Sequence, residues 1–169
     1  MEIILNNYIM KIGILTQPLN NNYGGLLQNY ALQQVLIRAG YEVETLDQQS
    51  RRVGWLHAKL YRIKLRLLHI VFPHKYKKPH YVPTKTEMAT IRRNTSRFIE
   101  TCINRSSSIH SEDDFVFVAK SKQYDAYVVG SDQCWRPRYN QFLSSMFLDF
   151  DQRPNVKRIA YAASFGTDQ

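Results

Sequence analysis

The chain has 169 residues, 44% hydrophobic and 12% aromatic, with a formal net charge of +9, which suits a single domain around one sizeable core. No apolar run approaches the ~20 residues needed to cross a bilayer, and MEIILNNYIM lacks the basic start and small-residue cleavage site of a secretory signal, so a cytoplasmic location is expected. Cys102 and Cys134 are the only two cysteines, too few for a disulfide framework or a metal cluster, and both lie beside apolar residues where a free thiol packs as a small hydrophobe.

In chain order, Met10 directly precedes KIGILT, and residues 1–9 read as an unstructured leader ahead of one α/β domain over 10–169. KIGILT (11–16) is a short apolar run bounded by turn signals, as expected of a strand buried on both faces. After NNNYGG the pattern predicts a helix from about Leu26 to Ala39, with Leu27, Tyr30, Ala31, Val35 and Ala39 on its inward stripe and Gly40 at C′. YEVETLD (41–47) alternates and follows at once, so 11–47 has the layout of a strand–helix–strand crossover.

Residues 51–83 read as a basic helical and loop insertion. Between Arg51 and Arg93 twelve Lys or Arg stand against one acid, Glu87, giving +11, while the remainder has eleven bases and thirteen acids, giving −2. Residues 55–71 form a helical pattern with Leu56, Leu60, Ile63, Leu67 and Ile70 on one side and cations on the other; PHKYKKPHYVP is a proline-bounded loop. Two readings fit this helix. Its apolar side packs on the domain with the cations in water, or it rests on anionic lipid. His57, His69, His74 and His80 share the segment without the spacing of a metal site.

Thr84 with Glu87 fits a capping box opening a third helix, with Met88, Ile91, Thr95, Phe98 and Cys102 inward; Ser111 with Asp114 fits another, for a short helix carrying Phe115 and Val118. YDAYVVG (124–130) and KRIAYAAS (157–164) read as further buried strands, with FLDF (147–150) a weaker strand between them. Strands alternating with helices indicate a Rossmann-like parallel sheet flanked by helices. NNNYGG (20–25), GSDQCW (130–135) and SFG (164–166) then all follow carboxyl ends of strands, the edge where ligands bind in open parallel sheets.

Each cluster has a chemical and a plain reading. Gly24 and Gly25 permit backbone angles and close approaches that a side chain blocks, and Asn20 to Asn22 can cap the helix, whose N-terminal N–H groups suit a phosphate, a carboxylate or sugar hydroxyls. An ordinary tight strand-to-helix turn would use the same residues. Asp132, Gln133 and Trp135 offer an acceptor, an amide and a flat apolar platform of the kind sugars stack on; equally, Ser131 and Asp132 can cap a helix while Trp135 plugs a loop.

Taken together, KIGILT, NYGGLLQNYALQQVLIRAGYEVETLD, YDAYVVGSDQCWRP, FLDF and KRIAYAASFG, in that order, resemble the polysaccharide pyruvyl transferases. The chain departs from the family's usual residues at Gly25, Cys134 and Arg136, in place of alanine, valine and asparagine. The resemblance implies the N-terminal, acceptor-side half of a two-domain glycosyltransferase-B fold, with the C-terminal domain that holds the donor missing from this length. It implies transfer of a pyruvyl group from phosphoenolpyruvate to two hydroxyls of a sugar as a ketal, in exopolysaccharide biosynthesis, with no cofactor and no metal. Asp132 is then the candidate catalytic base. Asn21, Asn22, Tyr23, Gly24, Gly25, Gln28, Gly130, Ser131, Gln133 and Trp135 would bind substrate, with Ser164, Phe165 and Gly166 on the opposite wall.

The partners implied are a glycan or lipid-linked sugar acceptor and a C-terminal half as a separate chain, with peripheral contact to the inner face of a membrane through 55–71. Nucleic acid is not expected, because no recognition motif accompanies the basic residues. Whether the chain is an enzyme on its own stays open; the alternative is a non-catalytic sugar-binding or interaction domain, or an inactive truncated remnant.

Overall fold

The structure is a computed structural model that describes residues 8–49, 55–75, 81 and 83–166, with the side chains of 55–58 and 62 outside the description. The expected leader therefore lies largely outside the described residues, as do His80 and the side chain of His57. The chain forms two compact units, one from 1–50 with 92–169, the other from 51–91.

The first unit is built on a four-stranded, all-parallel sheet in the order β2-β1-β3-β4. β1 (Lys11–Leu15) leads into helix α1 (Tyr23–Arg38) and returns as β2 (Glu42–Thr45). β3 (Ala126–Asp132) and β4 (Lys157–Ala163) complete the sheet on the other side of β1. An extended segment runs parallel beside β2, where Ser106 donates its N–H to the Thr45 carbonyl and Ile109 to that of Asp47.

Period-two alternation sorts the side chains to two faces. Ile12 and Ile14 of β1 with Ala126 and Val128 of β3 pack against Leu32, Leu36 and Ile37 of α1. Leu15, Tyr127 and Val129 face the other way, into a core with Phe115 and Val118 of α4 (Glu112–Lys122). Gly13 pairs with Tyr127 across the ladder, and a Cβ there would meet the Tyr127 ring at 3.0 Å, so the glycine makes room for the aromatic. A third cluster joins Leu19 and Leu26 to Ile99 and Ile103; Ile99 belongs to α3 (Lys85–Cys102), whose residues from Arg92 onward are in this unit.

Four expectations need correction. The inward face of α1 carries Leu26, Asn29 and Gln33, while Leu27, Ala31, Val35 and Ala39 are exposed. Polar residues hold that face: Gln33 donates to the Asn104 carbonyl at 2.6 Å and to Thr45 Oγ1 at 3.1 Å, and accepts from the Asn104 N–H at 3.0 Å. FLDF forms no strand; a 3₁₀ turn at Ser145–Phe147 ends at Leu148 with φ 61, and Leu148 and Phe150 go to the α4-side core. β4 is an exposed edge along most of its length. In α3, Thr95 and Ile99 are buried and Phe98 and Cys102 half-buried as anticipated or nearby, but Ile91 is exposed.

In the second unit α2 (Trp55–Val71) has the expected bounds. The Thr84–Glu87 capping box is present at the start of α3, with the Thr84 N–H donating to the Glu87 carboxylate at 2.8 Å and the Glu87 N–H to Thr84 Oγ1 at 3.3 Å. Among the described residues no helix is long and apolar enough to cross a membrane.

Candidate functional site

The sheet reverses its winding between β1 and β3: the chain leaves β1 toward β2 on one side and passes from β3 to β4 on the other. The crevice outside the carboxyl ends at such a reversal lacks a crossing connection and is open to ligands. The loops after β1 and β3 flank it, and the loop after β4 is adjacent, because all four strands run parallel.

After β1, Asn22 is the N-cap of α1, its side-chain oxygen accepting from the Gly25 N–H at 3.3 Å, and Asn20 in turn accepts from the Asn22 N–H at 3.2 Å. Gly24 and Gly25 lie inside the first turn and have ordinary helical angles, so the left-handed freedom expected of them is not used. They leave that turn bare. A Cβ on Gly24 would touch nothing nearer than Asn22 Oδ1 at 3.6 Å. Asn21 and Tyr23 are exposed beside it, and the helix end presents N–H groups and partial positive charge to the edge.

At the carboxyl end of β3 the backbone turns sharply. Gly130 has φ 141, and a Cβ there would lie 1.9 Å from the Tyr161 carbonyl oxygen, so only glycine fits against β4. The Gly130–Ser131 peptide is cis. Asp132 follows with φ 70, a left-handed conformation that aspartate tolerates better than most residues. Its carbonyl accepts from the Cys134 N–H and from the Ser164 N–H, both at 2.8 Å, and the Trp135 N–H donates to the Ser164 carbonyl at 3.1 Å. The Asp132 side chain is exposed. Two hydrogen bonds, from the Ser164 N–H and the Trp135 N–H, thus bind the β3 loop to the β4 loop and leave the carboxylate at the surface.

Gln133 accepts from Arg136 Nη1 at 2.5 Å, so its amide NH₂ is the donor it has to offer. Gly166, at φ 66, passes so close to Gln133 that a Cβ would lie 2.3 Å from its Cδ. Trp135 stacks on Phe147 with ring centroids 5.7 Å apart, tilts against Phe165 at 5.5 Å, and donates its indole N–H to the Met146 carbonyl at 3.1 Å. One face of the indole is therefore taken by Phe147, and exposed ring surface in this cluster comes from Phe147 and Phe165. Gln28 and Ser131 line a shared groove of about 560 Å³ with Val35, Ile159 and Tyr161.

Cys134 is buried, which pushes its thiol up to about 11, and it donates to the Ser131 carbonyl at 3.0 Å. It is a packing residue, unsuited to act as a nucleophile. Beneath the rim, residues the sequence reading passed over hold the loops together. Gln48 donates to the Thr16 carbonyl and to Asn140 Oδ1, and Asn140 donates to the Cys134 carbonyl. Their signal in the sequence is weak, since buried amides look like loop residues until their partners are known. Arg92 and Arg105, with Asn20 and Gln49, line a smaller polar pocket of about 150 Å³. Among the described residues no group of three His, Cys, Asp or Glu is placed to hold a metal ion.

The sequence model of a family described as polysaccharide pyruvyl transferase matches residues 22–169, from the N-cap of α1 through the loops after β3 and β4. No curated protein and no solved structure matches the chain. With most of its length matched, the chain belongs to the polysaccharide pyruvyl transferase family.

Proposed function

We propose that the rim formed by the loops after β1, β3 and β4 is the acceptor side of a pyruvyl transferase that moves a pyruvyl group from phosphoenolpyruvate to a sugar. The observation that supports this best is the exposed carboxylate of Asp132, held beside the winding reversal by hydrogen bonds to the β4 loop. The donor is held by basic groups on a further domain, and the activity needs that domain.

Ketal formation makes defined demands. One sugar hydroxyl oxygen bonds to the enol carbon of phosphoenolpyruvate while a proton adds to its methylene carbon, which becomes the methyl group. The second hydroxyl then displaces phosphate at the same carbon, and its proton leaves with the phosphate. Asp132 accepts a hydroxyl proton or orients the hydroxyl. The Gln133 amide and the bare first turn of α1 at Gly24 donate to other hydroxyls. Ring surface from Phe147 and Phe165, with Trp135 stacked behind Phe147, walls the sugar, with Ser164 and Gly166 opposite Asn22.

Phosphate release from phosphoenolpyruvate with a panel of sugar acceptors tests the reading, with the chain alone and with a family C-terminal half added. Release that needs both components and an acceptor is expected. Silence across the panel with both components folded would contradict transfer and leave a non-catalytic sugar-binding domain as the better description.

A further inference from the structure

An amphipathic helix in a folded unit ordinarily turns its apolar stripe inward. α2 does not. Leu60, Ile63, Leu67 and Ile70 fall on one stripe at about 100° per residue, and they are 58, 45, 58 and 74% exposed. The half-buried side chains of the helix are Leu65, Leu68 and His69, on a different face. Val71, the last residue of the helix, and Phe72 just beyond it extend the exposed apolar surface. The stripe is thus exposed in the described structure.

Cations border this stripe on both sides. At the same angular step, Lys64 lies on one flank, beside Leu60 and Val71, while Lys59 and Arg66 lie on the other, beside Ile63 and Ile70. Long basic side chains so placed can lay their methylene stems along an apolar surface and carry their charges to a headgroup layer. The segment from Arg51 to Arg93 has twelve bases and one acid.

We propose that α2 docks this chain on an anionic membrane surface, lying in the interface with Leu60, Ile63, Leu67 and Ile70 among the acyl chains and the flanking cations on lipid phosphates. The occupant follows from the chemistry of the face. A second copy would bring the same excess of positive charge against itself. Nucleic acid would meet the cations but leave an aliphatic stripe in water, where stacking calls for aromatic rings. Lipid satisfies both halves of the pattern.

Vesicle flotation of the full chain tests this, using phosphatidylcholine alone and phosphatidylcholine with about one third phosphatidylglycerol. Binding to the anionic vesicles is expected, falling steeply as salt is raised. Leu60→Gln with Ile63→Gln and Leu67→Gln should abolish it, with circular dichroism confirming that the fold is kept. Lys64→Ala and Arg66→Ala should each weaken it about fivefold and flatten the salt dependence, which tests the same face without touching its apolar residues. No binding, equal binding to neutral vesicles, or binding unchanged in both sets of variants would overturn the proposal. So would a concentration-dependent dimer dispersed by the glutamine variant, or duplex DNA capture that outcompetes the vesicles.

Discussion

The Ser164 N–H donates to the Asp132 carbonyl at 2.8 Å, tying the loop after β4 to the loop after β3 at the point where the backbone of Asp132 is left-handed. That bond, with its neighbour from the Trp135 N–H to the Ser164 carbonyl at 3.1 Å, fixes where the Asp132 carboxylate stands relative to the crevice.

Asp132→Asn should separate chemistry from fold. Asparagine tolerates the φ of 70 and keeps the backbone bonds, so stability should stay within about 0.5 kcal/mol. Transfer in the presence of the donor half should fall at least about 100-fold, since the amide cannot take a proton. Phosphate-release rates beside a urea unfolding curve check both. A normal rate removes Asp132 from the mechanism.

Gly24→Ala should move stability and activity in opposite directions. Gly24 has helical angles and open space around its Cβ position, so alanine should stabilise α1 by about 0.5 kcal/mol. If an acceptor approaches the bare first turn, the added methyl raises KM for the sugar. Thermal melts and acceptor titrations measure the two effects, and unchanged KM would place the acceptor away from α1.

Gly130→Ala should be costly for a different reason. Its Cβ would fall 1.9 Å from the Tyr161 carbonyl oxygen at a φ of 141, so β4 must separate from β3 to admit it. A loss of at least about 2 kcal/mol in urea midpoint analysis is expected. A loss under about 0.5 kcal/mol would mean that β4 pairs less firmly than the ladder indicates.

Acid should weaken the fold through Asp151. Burial works to raise its pKa, but bonds from the Arg153 guanidinium and N–H and from the Tyr127 hydroxyl outweigh it and hold the carboxyl below its ordinary value. A carboxylate with a lower pKa folded than unfolded binds fewer protons in the native state, so its stabilisation is complete above the ordinary range near ~4 and is lost as pH falls through the folded value. Asp114 acts in the same sense, chiefly through the His110 backbone N–H. Asp151→Asn should therefore cost about 3 kcal/mol at neutral pH and flatten the decline of stability below it, as read from urea midpoints across the acid range. A slope identical to that of the unaltered chain would contradict this.

Much of the fold was legible because local signals agreed with tertiary ones. β1 is continuously apolar and doubly buried; both capping boxes, Thr84–Glu87 and Ser111–Asp114, open helices where expected. The errors share a cause. In α1, Asn29 and Gln33 turn inward to bond Thr45 and, for Gln33, Asn104, partners outside the helix that give no periodic signal. FLDF is apolar because Leu148 and Phe150 plug the core from an irregular turn. For the site, parallel pairing alone places the three loops on one edge, and that was readable from strand order. The tie between Asp132 and Ser164, the stacking of Trp135 on Phe147, and the Gln48–Asn140 link were not.

The account depends on an acceptor sugar sitting at the rim that joins these loops. Titrating the acceptor panel into isotopically labelled chain and following backbone amide resonances measures this directly. Shifts gathered on Gly24, Gly25, Asp132, Gln133 and Ser164 are the predicted result; shifts at the opposite edge of the sheet, around Asp125 and Lys157, or none with any sugar, would contradict it.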